Sequence, residues 1–88
     1  MQRTEPTEAE ICAWCARYLE RELRLPAKRI DPAAKFARLG MDSAMSVFLI
    51  AGLEEWLGME LEAEAVFEHP SIAELARYVM QRRAGAGE

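Results

Sequence analysis

Apolar residues recur three and four positions apart along most of the chain, the spacing of a helix face rather than the alternation of a strand. Ile11, Trp14, Cys15, Tyr18, Leu19 and Leu23 mark the first such face, and Thr7 followed by Glu10 reads as a capping box at its start. Leu25-Pro26 ends that helix near Arg24, because the residue before a proline is pushed out of the α region. From Leu25 to Met41 the period is lost, and Ile30, Phe36 and Leu39 are the candidates to anchor this long connection on the core. Loops of that length in small domains are often functional. A second helix is predicted from Asp42 or Ser43 to about Leu57, with Gly58 as its left-handed stop. One short turn is expected around residues 63–67, and Ser71 with Glu74 reads as a second capping box. Ile72, Leu75, Ala76, Val79 and Met80 give the stripe of a last helix, and residues 82–88 should fray. The fold class is therefore all-α: a small bundle of three main helices plus one short helix, with a long loop between the first and second. One domain over residues 7–83 is expected between flexible ends at 1–6 and 84–88.

The second helix carries more apolar surface than a small bundle can bury. Leu49, Ile50, Leu53, Trp56 and Leu57 form its core stripe, while Ala44, Val47, Phe48 and Ala51 form another at the same spacing. One of the two must stay exposed unless Phe48 tucks under the long loop. Apolar surface rimmed by charge, here by Glu54 and Glu55, marks a docking site.

Composition narrows the function. The chain has 88 residues, 51% of them hydrophobic and 30% charged, which is globular and too short to house a deep substrate pocket of its own. No apolar run approaches the ~18 residues of a membrane span, and the start lacks a signal-peptide core, so a cytoplasmic location is expected with no membrane partner. The net charge is −4 and unevenly placed. Residues 41–76 hold eight carboxylates and no Lys or Arg, against eight Lys/Arg and six Asp/Glu over residues 1–40. That one-sign surface steers basic partners and repels phosphate backbones, so no nucleic acid is expected.

Ser43 is the residue with chemical potential. A serine at a helix start is usually a cap, but Asp42 serves that role equally well and leaves Ser43 free to project. A phosphoryl group on Ser43 would lie at the positive end of the helix dipole, against unpaired N–H groups. The run LGMDSA, the segment LEEWLG and the stretch VFEHPSIAELARYV resemble acyl carrier proteins, and most closely their polyketide-synthase and peptidyl-carrier branch. The resemblance covers about Thr7 to Arg82. It implies that Ser43 accepts a 4′-phosphopantetheine arm from coenzyme A through a phosphopantetheinyl transferase. It implies that Asp42 assists recognition of the modification site, and that Gly40 and Met41 belong to the recognition loop. It assigns partner docking to Ala44, Val47, Phe48, Ala51, Glu54 and Glu55 as well. The implied partners are an acyl-loading enzyme (an acyltransferase or an acyl-AMP ligase) and a ketosynthase or other synthase and tailoring enzymes. The carrier itself would have no catalytic residue and would work as a monomer. Ala44 departs from the family's usual leucine, which resembles carriers served by fatty-acyl-AMP ligases, and Phe48 stands where many relatives are polar.

Other chemistries fit less well. Ser43 lies in G-M-D-S-A rather than in a G-x-S-x-G elbow, and the lone His69 precedes Pro70 as a turn residue. Cys12 and Cys15 form a C-x-x-C inside a helix, with one histidine as the only further soft ligand, so ordinary packing is expected rather than zinc or redox chemistry. The methionines read as adaptable packing. The rival from another class is a helical adaptor domain with no covalent arm, which would need neither Ser43 after Asp42 nor the downstream proline-capped helix.

Overall fold

The computed structural model describes residues 6–86, with side chains through Arg83. Four α-helices follow one another: α1 Glu8–Leu23, α2 Ser43–Leu57, α3 Ala65–Glu68 and α4 Ile72–Ala86. Two 3₁₀ turns, Ala27–Arg29 and Phe36–Leu39, shape the long connection between α1 and α2. Among the described residues no strand forms; a single β-bridge joins Lys35 to Ser71. Residues 1–5 of the expected flexible start lie outside the described residues. At the other end α4 continues to Ala86, into the stretch expected to fray, and residues 87 and 88 lie outside the described residues.

The ends of α1 show how local chemistry sets the boundaries. Thr7 Oγ1 accepts the Glu10 N–H at 3.1 Å and Glu10 Oε1 accepts the Thr7 N–H at 2.8 Å, a complete capping box. Arg24 closes the helix in the left-handed region at φ 58°, a conformation that costs a non-glycine residue about 1 kcal/mol. The chain accepts it because Leu25-Pro26 cannot continue the helix, and the Arg24 and Leu25 N–H groups both turn back to the Glu20 carbonyl. At the far end of α2, Gly58 takes the corresponding position at φ 68°, where glycine pays no such penalty. At α4, the Ser71 hydroxyl accepts the Glu74 N–H at 3.2 Å, one of the two bonds of the expected box.

One core joins all elements. Ile11, Cys15 and Leu19 of α1 meet Leu49, Ile50 and Leu53 of α2 and Ile72, Leu75, Ala76 and Val79 of α4, all buried. Two of the three expected loop anchors, Ile30 and Phe36, are buried in the same cluster, and Leu39 packs partly against it. The loop is further tied by the Phe36 N–H to the Pro70 carbonyl at 2.8 Å and the Ala73 N–H to the Pro32 carbonyl at 2.9 Å. These bonds make the connection a fixed arc rather than a floppy link.

The core stripe of α2 needs one correction. Trp56 is 40% exposed, and Ser46 is buried instead, its hydroxyl satisfied by the Asp42 carbonyl at 3.0 Å. The indole of Trp56 is stacked on Trp14, with centroids 5.4 Å apart and planes within 5°, and Trp14 also stacks on Tyr18 at 5.4 Å. This aromatic contact bridges α1 and α2 at the surface. It requires Gly52, since a Cβ there would stand 2.9 Å from Trp14 Cη2. Gly52→Val therefore unstacks the indoles and lowers unfolding stability by about 1–3 kcal/mol, as other forced insertions into packed sites do. Urea unfolding, with near-UV circular dichroism as the probe of the stacked rings, checks this.

Candidate functional site

The site is built by the turn that enters α2. Gly40 ends the Phe36–Leu39 turn at φ 94°, and the Met41 N–H returns to the Phe36 carbonyl at 3.2 Å. Asp42 is extended and acts as the cap: its Oδ1 accepts the Met45 N–H at 2.9 Å. The Ser46 N–H donates to the Asp42 carbonyl at 3.0 Å, the first helical bond. Ser43 is thus the first helical residue, exposed, with the cap function discharged by its neighbour. The N–H groups of Ser43 and Ala44 belong to the unpaired set at any helix start and point out of the positive end of the dipole. A phosphate ester on Ser43 would sit against both.

Beside Ser43 lies a cleft of about 320 Å³, lined by Phe36, Met41, Val66, Phe67 and Pro70 together with Asp42, Ser43 and Ser46 of the α2 start. Its walls come from the loop, from the first turn of α2, from α3 and from the turn before α4. The loop ties described above therefore also fix the cleft.

The structure separates the expected docking residues into two groups. Ala44, Val47, Phe48, Ala51 and Glu55 are exposed along α2, Val47 at 52% and Phe48 at 59%, so Phe48 does not tuck under the loop. Gly40 is exposed as well. Met41 lies in the same turn with its side chain largely buried in the core cluster and one edge lining the cleft beside Ser43. Glu54 departs in part, because its Oε2 accepts the Leu61 N–H at 2.7 Å. That half-buried carboxylate fastens the 58–61 turn to α2, so it is not a free rim charge.

One exposed aromatic escaped sequence reasoning. Phe67, on α3, is 63% exposed at the cleft rim. The structure supplies the reason: Ala65 and Val66 are buried, and a helix of one turn cannot bury a third consecutive side chain on the same face.

The other candidate groups are occupied elsewhere. The His69 N–H closes α3 on the Ala65 carbonyl at 2.8 Å, and its ring stacks on Tyr78 at 4.5 Å. Cys15 is buried in the core, and desolvation, reinforced by neighbouring Cys12, pushes its thiol up to about 12. Cys12 is half-buried, and its thiol is also raised, first by burial and then by Glu8. Among the described residues no group of His, Cys, Asp and Glu is placed to hold a metal, and no helix is long and apolar enough to cross a membrane. The reactive form of a thiol is its thiolate, which a raised pKa makes scarcer at any given pH. Iodoacetamide at mildly alkaline pH should label Cys12 slowly and spare Cys15 until the chain unfolds or the pH nears 12, which mass spectrometry of the alkylated peptides reads out.

The geometry leaves one exposed serine hydroxyl at the positive end of a helix in a small helical bundle. Comparison with known proteins agrees. Residues 13–79 match the family model described as the phosphopantetheine attachment site, and the chain belongs to that family. It is 38% identical over 84 residues to one of the phenolphthiocerol/phthiocerol polyketide synthase chains of Mycobacterium tuberculosis, covering 96% of this chain and 4% of that one. A non-reducing polyketide synthase of Trichophyton equinum is 31% identical over 78 residues, covering 89% of this chain and again 4% of the relative. The chain thus spans a small fraction of these relatives. Among solved structures, a free-standing peptidyl carrier protein from Acinetobacter baumannii superposes with a TM-score of 0.82 at 28% identity, over 90% of this chain and 98% of that one. The HMG-ACPI domain of the CurA module from Lyngbya majuscula superposes at 0.81 and 22% identity, over 100% of this chain and 90% of that one, and shares the fold. The residues present fit the family's group: an accessible hydroxyl, two N–H groups for its phosphate and an apolar cleft alongside.

Proposed function

We propose that Ser43 is the attachment point of 4′-phosphopantetheine and that the chain shuttles acyl groups between the enzymes of a polyketide-type pathway. The observation that carries this reading is the exposed Ser43 hydroxyl at the first position of α2, with Asp42 holding the cap, inside a family defined by that attachment. In the loading reaction Ser43 Oγ bonds to the phosphorus that bears pantetheine in coenzyme A. The pyrophosphate P–O bond breaks, adenosine bisphosphate leaves, and the hydroxyl proton passes to a base of the transferase. Once attached, the arm supplies a terminal thiol that holds an acyl group as a thioester.

The chain's own residues position and present. The Ser43 and Ala44 N–H groups stabilise the phosphodiester charge at the helix start. Asp42, exposed and with one oxygen held by Met45, presents its carboxylate to the phosphopantetheinyl transferase beside Gly40 and the Met41 backbone. Ala44, Val47, Phe48 and Ala51 form the apolar docking strip, with Glu55 and secondarily Glu54 at its rim. The enzymes it meets are a loading acyltransferase or acyl-AMP ligase and a ketosynthase or tailoring enzyme. This reading places the chain in the cytoplasm with its coenzyme A supply, as a monomer with no catalysis of its own.

The test is intact mass before and after incubation with coenzyme A, magnesium and a broad-specificity phosphopantetheinyl transferase. The parent gains one phosphopantetheine group, whereas Ser43→Ala folds alike and gains none. A folded, unmodified parent that gains nothing would favour the rival reading, an adaptor domain without an arm. On the loaded protein, Phe48→Glu slows acyl transfer to or from partner enzymes by about tenfold, the loss of a central apolar anchor. It leaves the extent of loading intact, and unchanged transfer kinetics would remove Phe48 from the docking face.

A further inference from the structure

The connection between α1 and α2 carries a surface that neither the arm nor the α2 face uses. From Arg24 to Arg38 it holds five cations, Arg24, Lys28, Arg29, Lys35 and Arg38, against one acid, Asp31. All five cations are exposed. Asp31, whose Oδ1 accepts the Ala33 N–H at 3.0 Å, offsets only one of the five charges. No ion pair holds Lys28, Arg29, Lys35 or Arg38 among the described residues. Of the two helices that flank the arc, α4 brings Glu74, three residues past the Lys35–Ser71 bridge, and α1 brings Glu20 and Glu22 ahead of Arg24, so the five cations outnumber Asp31 and these three acids together.

The segment is also rigidly mounted. Ile30 and Phe36 are buried beneath it, two 3₁₀ turns set its curvature, and hydrogen bonds to Pro70 and Ala73 pin it to the start of α4. Its side chains project from a fixed backbone, so a partner need not order the loop in order to bind it. The arc ends at Gly40, three residues before Ser43.

We propose that this basic arc is a second docking surface, opposite in sign to α2, and that it binds a partner protein presenting a carboxylate-rich surface. The eight carboxylates of residues 41–76 favour such a partner over a nucleic acid. They begin where the arc ends and repel an extended polyphosphate, while a compact acidic protein patch can meet the cations alone. The charge segregation gives the chain two faces that select different partners, and the surface exists whether or not Ser43 is modified.

The test uses the full, unmodified chain labelled with ¹⁵N and titrated at low ionic strength with a ten-residue glutamate peptide. An oligothymidylate of equal charge is run in parallel. The expected result is saturable shifts of backbone amides within residues 24–38, a weaker response to the oligothymidylate, and loss of both as salt is added. K28E/R29E/K35E/R38E should weaken glutamate-peptide binding by about tenfold or more, the combined effect of several individually modest surface pairs. The neutral set K28Q/R29Q/K35Q/R38Q replaces it if charge reversal unfolds the chain. Shifts centred on the arginines of α4, no saturable shift, binding unchanged by the substitutions, or preference for the oligothymidylate would each overturn the proposal.

Discussion

The short bond from the Met45 N–H to the Asp42 carboxylate is the contact on which the site depends. A helix start must satisfy its first N–H groups, and in most proteins the serine of such a sequence would be spent on that task. Here Asp42 takes it and Ser46 seals the same turn from inside, so Ser43 is left with a free hydroxyl on a fixed helix. The consequence is geometric as well as chemical. Any group attached to Ser43 begins from a rigid first turn whose dipole favours a negative charge, while everything beyond the ester can move.

The long connection is the other half of that arrangement. Its backbone bonds to Pro70 and Ala73 hold Phe36 in the core, and Phe36 in turn receives the Met41 N–H that leads into Asp42. The register of the cap is thus set by residues remote in sequence. Met41 illustrates the cost: one residue from the cap, it is drawn inward to complete the core and offers only one edge, to the cleft beside Ser43.

Periodicity carried the helix boundaries because capping and stop residues act within one turn of themselves: Thr7, Asp42 and Gly58 each sit where local chemistry demands. The placement of Ser43 followed for the same reason. What stayed hidden depends on neighbours across the fold. Trp56 matches the core period of α2 but lies at the surface, stacked on Trp14, an approach that Gly52 permits. Glu54 looks like a surface charge in a one-dimensional pattern, yet the turn after Gly58 brings the Leu61 N–H onto it. Phe67 required knowing that α3 is one turn long and that Ala65 and Val66 are its buried residues.

A carrier has to release each partner as readily as it binds it, and the surface is suited to that requirement. Among the described residues its large exposed apolar side chains are Val47, Phe48, Trp56 and Phe67, and an interface built on so few would bury little area. Speed must then come from long-range attraction, which raises association rates without the deep burial that slows departure. Concentrating the carboxylates after Ser43 and the loop cations before it supplies that attraction with two signs. A chain of even charge distribution and the same net charge would have neither field, and would have to trade fast exchange for a larger apolar interface.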